Sequence, residues 1–214
     1  MKDKLTNFGD IAGLYVQYAA TIGKRLANNA IAGFQSLLTI DEKDRENYFR
    51  QKGIQHAKAG RYERAIPLLQ PLHEADPENR DILIHLGLSY VKTGEQTVGI
   101  ELLEKAYAED KSDTTVATVL GFAYGQIEEY GKALPLLEKV AADKPENFIV
   151  LYRLGVACHE VGKYDRAIEV FKKAIDLRPQ EAKVHRAIAQ AYERKGDQGE
   201  ALAHVKRADD LSAD

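Results

Sequence analysis

The chain has 214 residues, 30 basic and 33 acidic, for a net charge of −3, and 44% of it is hydrophobic. That balance fits a folded chain rather than a disordered one, and its acidic sum excludes a global attraction to nucleic acid or anionic lipid. A single cysteine, Cys158, excludes an intramolecular disulfide and is compatible with a reducing compartment.

The opening stretch, "MKDKLTNFGDIAG", has no long apolar run and no cleavage signature, so a secretory leader is not expected. No stretch approaches the roughly 18 uncharged apolar residues of a spanning helix. The expectation is a soluble, cytoplasmic protein. Residues 11–40 then show helical periodicity, with Tyr15, Tyr18, Ile22, Phe34 and Leu38 among the apolar positions. Gly13, Gly23 and Gly33 weaken this segment. It reads as a degenerate helical hairpin over 1–45.

From residue 46 a fixed period takes over. Gly53, Gly87, Gly121, Gly155 and Ala189 are 34 residues apart. Behind each run the same signatures: Gly60, Gly94, Glu128, Gly162 and Gly196, then Ala65, Gly99, Ala133, Ala167 and Ala201. Pro77, Pro145 and Pro179 close three of the units, while Lys111 stands at that place in the second. The spacing predicts five helical hairpins over 46–79, 80–113, 114–147, 148–181 and 182–214. Small residues permit close helix approach, a left-handed Gly ends the first helix, and Pro discourages continuation of the second. Gly99 within a helix and Lys111 mark the second unit as the weakest, with a division expected between 46–111 and 112–214. The last unit has a more polar second helix, "EALAHVKRADD", as a solenoid cap requires.

With this period and these residues, the chain resembles the tetratricopeptide repeat family over about four fifths of its length. The resemblance implies an all-α solenoid of about five repeats plus the degenerate N-terminal hairpin, hook-like or a right-handed superhelix. It further implies that the first helix of each pair lines a concave face. The residues assigned to that face include Arg50, Ile54, Lys58, Asp81, Ile84, Leu88, Val91 and Lys92 in the first two units. Farther along it takes Phe122, Tyr152, Arg153, Val156, Lys183 and Arg186. Cations outnumber carboxylates there and the middle is apolar, which suits an acidic, hydrophobic partner segment.

Four stretches, "YFRQKGIQHAKAGRYERA", "HLGLSYVKTGE", "TVATVLGFAY" and "KVHRAIAQAYERKG", are similar to the magnetosome-associated tetratricopeptide-repeat proteins of magnetotactic bacteria. That resemblance implies a scaffold on the cytoplasmic face of the magnetosome membrane that forms homo-oligomers and docks other magnetosome proteins. Membrane association would be peripheral, through protein partners. The residues alone support a helical binding platform. A monomeric adaptor or chaperone for an acidic, hydrophobic peptide, and an enzyme subunit that positions a catalytic partner, stay open beside the scaffold.

Catalysis finds no footing in the sequence. There is no phosphate loop, no Gly-x-Ser-x-Gly and no His-Glu-x-x-His. Cys158 and His159 are helix neighbours about 100° apart and do not face each other. The six histidines lack metal-ligand spacing. No cofactor, metal or nucleic acid is expected.

Overall fold

The computed structural model describes residues 41–213. The segment carrying Tyr15, Tyr18, Ile22, Phe34 and Leu38 lies outside the described residues. Within them the chain is helical throughout. The helices are α1 (Glu42–Lys58), α2 (Tyr62–Ala75), α3 (Arg80–Thr93), α4 (Gln96–Glu109) and α5 (Thr114–Gln126). They continue with α6 (Tyr130–Asp143), α7 (Phe148–Glu160), α8 (Tyr164–Leu177), α9 (Ala182–Lys195) and α10 (Gln198–Ala213). Successive pairs form the five hairpins predicted by the period. Two compact units divide the chain, one ending at Lys105 and one beginning at Ala106.

The starts and stops follow from local chemistry. Asn79, Asp113 and Asn147 cap α3, α5 and α7 with side-chain oxygens that accept backbone N–H groups of the first turn. Each hairpin turn is closed by one recurring bond, from a backbone N–H to the carbonyl five residues back. It joins Arg61 to His56, Glu95 to Tyr90, Glu129 to Tyr124, Lys163 to Cys158 and Asp197 to Tyr192, at 2.8–2.9 Å. The residue inside this loop adopts positive φ: Gly60, Gly94, Gly162 and Gly196 in four hairpins, and Glu128 at φ 62° in the third.

The hairpins are held at a small-residue crossing. A Cβ on Gly53 would lie 2.6 Å from Leu69, and one on Gly155 would lie 2.4 Å from the Phe171 ring. In the second hairpin the contact is backbone to backbone, since a Cβ on Gly99 would lie 2.6 Å from the Gly87 carbonyl oxygen. Gly99 therefore has a packing reason that its low helix propensity concealed. Around these crossings Leu69, Leu83, Leu86 and Leu103 form the core of the first unit, and Leu137, Val150, Leu154, Phe171 and Ile188 that of the second.

The last helix keeps most of its side chains exposed, as its polar sequence suggested. Ala201 and Ala208 are its buried residues, while Leu202 is 70% exposed.

Two outcomes test this geometry. A non-glycine residue in the left-handed region is strained, so Glu128→Gly should stabilise the chain by about 0.5–1 kcal/mol. Gly155→Ala should destabilise it by about 1–3 kcal/mol through overpacking against Phe171. Urea unfolding followed by circular dichroism measures both, and a sign reversal at either site would contradict the assigned geometry.

Candidate interaction face

In the first unit α1 and α3 lie side by side as well as against α2. Ile54 on α1, and Ile84 and Leu88 one turn apart on α3, are half-buried. Arg50 is half-buried and donates to the Asn47 side-chain oxygen at 2.6 Å. It borders a small cleft of about 80 Å³ whose walls also include Glu46 and Asp76. Lys58 and Lys92 are exposed in the last turns of α1 and α3, and Asp81 in the first turn of α3. Those places favour their charges through the helix dipole whether or not a partner binds. Val91 is 5% exposed and belongs to the core rather than to the face assigned from sequence.

The second unit concentrates aromatic rings and cations. The Phe148 and Tyr152 rings, one turn apart on α7, stack 6.3 Å apart at 14°. Tyr152 rests in turn on Phe171 of α8, 6.0 Å away. The Arg178 guanidinium sits 4.3 Å from the Phe148 ring, and Lys183 Nζ sits 5.4 Å from both the Phe148 and the Tyr152 rings. On the neighbouring first helices, Arg153 lies 5.4 Å from the Phe122 ring. A cation over a ring face at an exposed site is worth about 0.5–1 kcal/mol, and the ring also fixes where the charge stands. Glu181 lies 3.3 Å from Lys183 and 4.0 Å from Arg178, so one carboxylate faces two cations and positive charge is left over.

Beside this cluster opens a shallow cleft of about 630 Å³, walled by Lys144, Pro145, Glu146, Asn147, Phe148, Ile149, Leu177 and Arg178. Ile149 is 52% and Leu177 39% exposed there. Its lining mixes apolar side chains with two cations, Lys144 and Arg178, and one carboxylate, Glu146, a combination that suits an acidic, hydrophobic segment.

Of the sequence-assigned residues, Tyr152 and Lys183 meet in one cluster, and Phe122 and Arg153 pair beside it. Val156, on α7 with Tyr152, is half-buried. Arg186 does not join them: its guanidinium reaches α10 instead, 2.8 Å from the Ser212 hydroxyl and 4.0 Å from Asp209. Phe148 and Arg178 were missed. Phe148 opens its repeat where Glu46, Arg80, Thr114 and Ala182 open theirs, and that lone aromatic was the available signal.

The reactive side chains sit elsewhere and are engaged. Cys158 is fully buried, and burial pushes its thiol up, with Glu138 adding to the effect. The His159 ring packs 5.5 Å from Tyr164 and its Nδ1 lies 3.3 Å from Glu160. Among the described residues no cluster of three or more His, Cys, Asp or Glu could hold a metal ion. None of the described helices is long and apolar enough to cross a membrane.

Known proteins agree with this architecture. The family described as "Tetratricopeptide repeat" matches residues 50–114, and "TPR repeat" matches 157–196. The curated "Magnetosome protein MamA" of Magnetospirillum gryphiswaldense (strain MSR-1) is 46% identical over 87 residues, 41% of this chain and 40% of that protein. The MamA of Paramagnetospirillum magneticum (strain AMB-1) gives the same figures. The chain thus aligns with about two fifths of the length of these curated relatives. A solved MamA structure of MSR-1 is 50% identical, covering 79% of this chain and 97% of that one at a TM-score of 0.75. An AMB-1 MamA structure is 50% identical over 80% of this chain and 94% of that one, at a TM-score of 0.76. A more distant structure titled "Crystal structure of MamA" is 29% identical, covering 75% and 94% at 0.64. With half of the aligned residues identical across almost the whole of a solved relative of the same fold, the chain belongs to the MamA family of tetratricopeptide-repeat proteins.

Proposed function

We propose that the chain is a non-catalytic scaffold that self-assembles on the cytoplasmic face of the magnetosome membrane and docks other magnetosome-associated proteins. The observation that carries the docking role is the aromatic and cationic cluster of Phe148, Tyr152, Arg178 and Lys183 beside an open, partly apolar cleft. The family membership supplies the magnetosome setting. The partner segment is acidic and hydrophobic, and membrane attachment is peripheral, through protein partners.

Self-assembly uses the N-terminal segment. Tyr15, Tyr18, Ile22, Phe34 and Leu38 give 1–45 an apolar stripe, without the small-residue positions that would lock it into its own array. Such a segment is a natural helix-in-groove ligand for a neighbouring copy. One copy entering the next is a head-to-tail contact, which closes as a ring or continues as a polymer. Lys24 and Arg25 would meet further cations there, so apolar contact dominates.

Two measurements test this. Tyr18→Asp with Ile22→Asp should abolish concentration-dependent assembly in sedimentation velocity, with an unchanged helical spectrum. Full-size assemblies from that variant would contradict the mechanism. Phe122→Asp should weaken assembly about tenfold or more, as removal of a buried anchor does. Arg50→Glu should weaken it less, because Arg50 already has Asn47 as a partner. The reverse order, in variants whose thermal midpoints stay within a few degrees of wild type, would mean that charge rather than apolar contact carries the association.

A further inference from the structure

The terminal hairpin holds an internal pair of imidazoles where every other hairpin has hydrocarbon. In the first four described hairpins the positions at 34-residue intervals from this pair are filled by Phe49 and Leu68, Leu83 and Leu102, Ala117 and Leu136, and Leu151 and Val170, all buried. The corresponding residues of the fifth are His185 on α9 and His204 on α10. Their Nδ1 atoms are 3.0 Å apart and their rings 5.3 Å apart. His185 is 7% exposed and His204 half-buried. At that distance one ring must donate and the other accept, so the contact holds one proton. Charging both rings would put two adjacent cations face to face, each with an N–H at the contact, where buried His185 has little water to screen it.

We propose that His185 and His204 form an acid-sensitive latch: a shared proton closes α9 onto α10 at neutral pH, and double protonation forces the hairpin open. The surroundings offer the second charge little relief. Lys172 of α8 donates to the Tyr192 hydroxyl at 3.1 Å, and the Tyr192 ring stacks on His204 at 5.9 Å. Burial holds His185 below the ordinary histidine range, with Arg207 adding to the effect and the Pro179 carbonyl opposing it. Burial likewise holds His204 down, joined by His185 and Lys172 and opposed by Glu200.

The direction of the pH effect follows. A base held below its unfolded value binds fewer protons in the folded state, so its contribution to stability is complete above about pH 6.5. It is lost as pH falls from there through the folded values. The latch stands on the geometry of the pair and is independent of the scaffold reading.

Hydrogen exchange with mass spectrometry on the full chain at pH 7.5 and 5.5, corrected for intrinsic exchange, tests it. Opening within 182–213 should rise about tenfold or more at the lower pH, while 148–177 stays protected. His185→Leu with His204→Val restores the hydrocarbon of the preceding hairpin and should remove the response. An equal response in that variant, or one spread evenly over 148–177, would overturn the proposal. If the variant does not fold, NMR titration of the two wild-type imidazoles decides. Coupled titration below about pH 6.5 supports the latch, and independent titration at or above it refutes it.

Discussion

The absence of a Cβ at Gly155 is where fold and site meet. The Phe171 ring fills that space, within 2.4 Å of where the Cβ would stand. Phe171 supports Tyr152, Tyr152 stacks on Phe148, and Phe148 carries Arg178 and Lys183 over its ring. A constraint on helix approach is thus relayed through three rings to two cations at the surface. Rings packed on a rigid crossing lose little freedom on binding, which is the condition for a preorganised docking face. The first unit has the same crossing at Gly53 and Leu69 but no such stack among its described residues, and its half-buried Ile54, Ile84 and Leu88 are plainer.

Much of the architecture was legible because a repeat writes its constraints several times. Glycine recurring every 34 residues announces both the crossing and the turn before any helix is seen. Single deviations were harder to read. Gly99 looked like a weak point, yet it is the partner that lets Gly87 approach backbone to backbone. Glu128 stood where glycine was expected, and the chain keeps the left-handed turn rather than changing it.

The candidate face was legible only in part. Register finds residues on the first helix of each pair, so Tyr152, Arg153 and Lys183 were found. It says nothing about long side chains that bend elsewhere, as Arg186 does toward Ser212, or that rise from a connecting loop, as Arg178 does. Register also treats each histidine singly. His185 and His204 meet because one hairpin turn lies between them, and their partnership emerges only when both are set against the hydrocarbon of the other four repeats. The N-terminal stripe of Tyr15, Tyr18 and Ile22 rests on sequence periodicity alone.

A solenoid places its stability and its recognition on different surfaces. In the second unit α6 packs against α5 and α7, and α8 against α7 and α9, while the first helices α7 and α9 carry Phe148, Tyr152 and Lys183. Partner association should therefore be written on the first helices. Hydrogen exchange of the full chain, compared below and above its assembly concentration, reads this directly. Added protection at the starts of α7 and α9, residues 148–153 and 182–186, with residues 164–173 of α8 unchanged, is the predicted result. Protection gained along α8 with the starts of α7 and α9 unchanged would contradict the account.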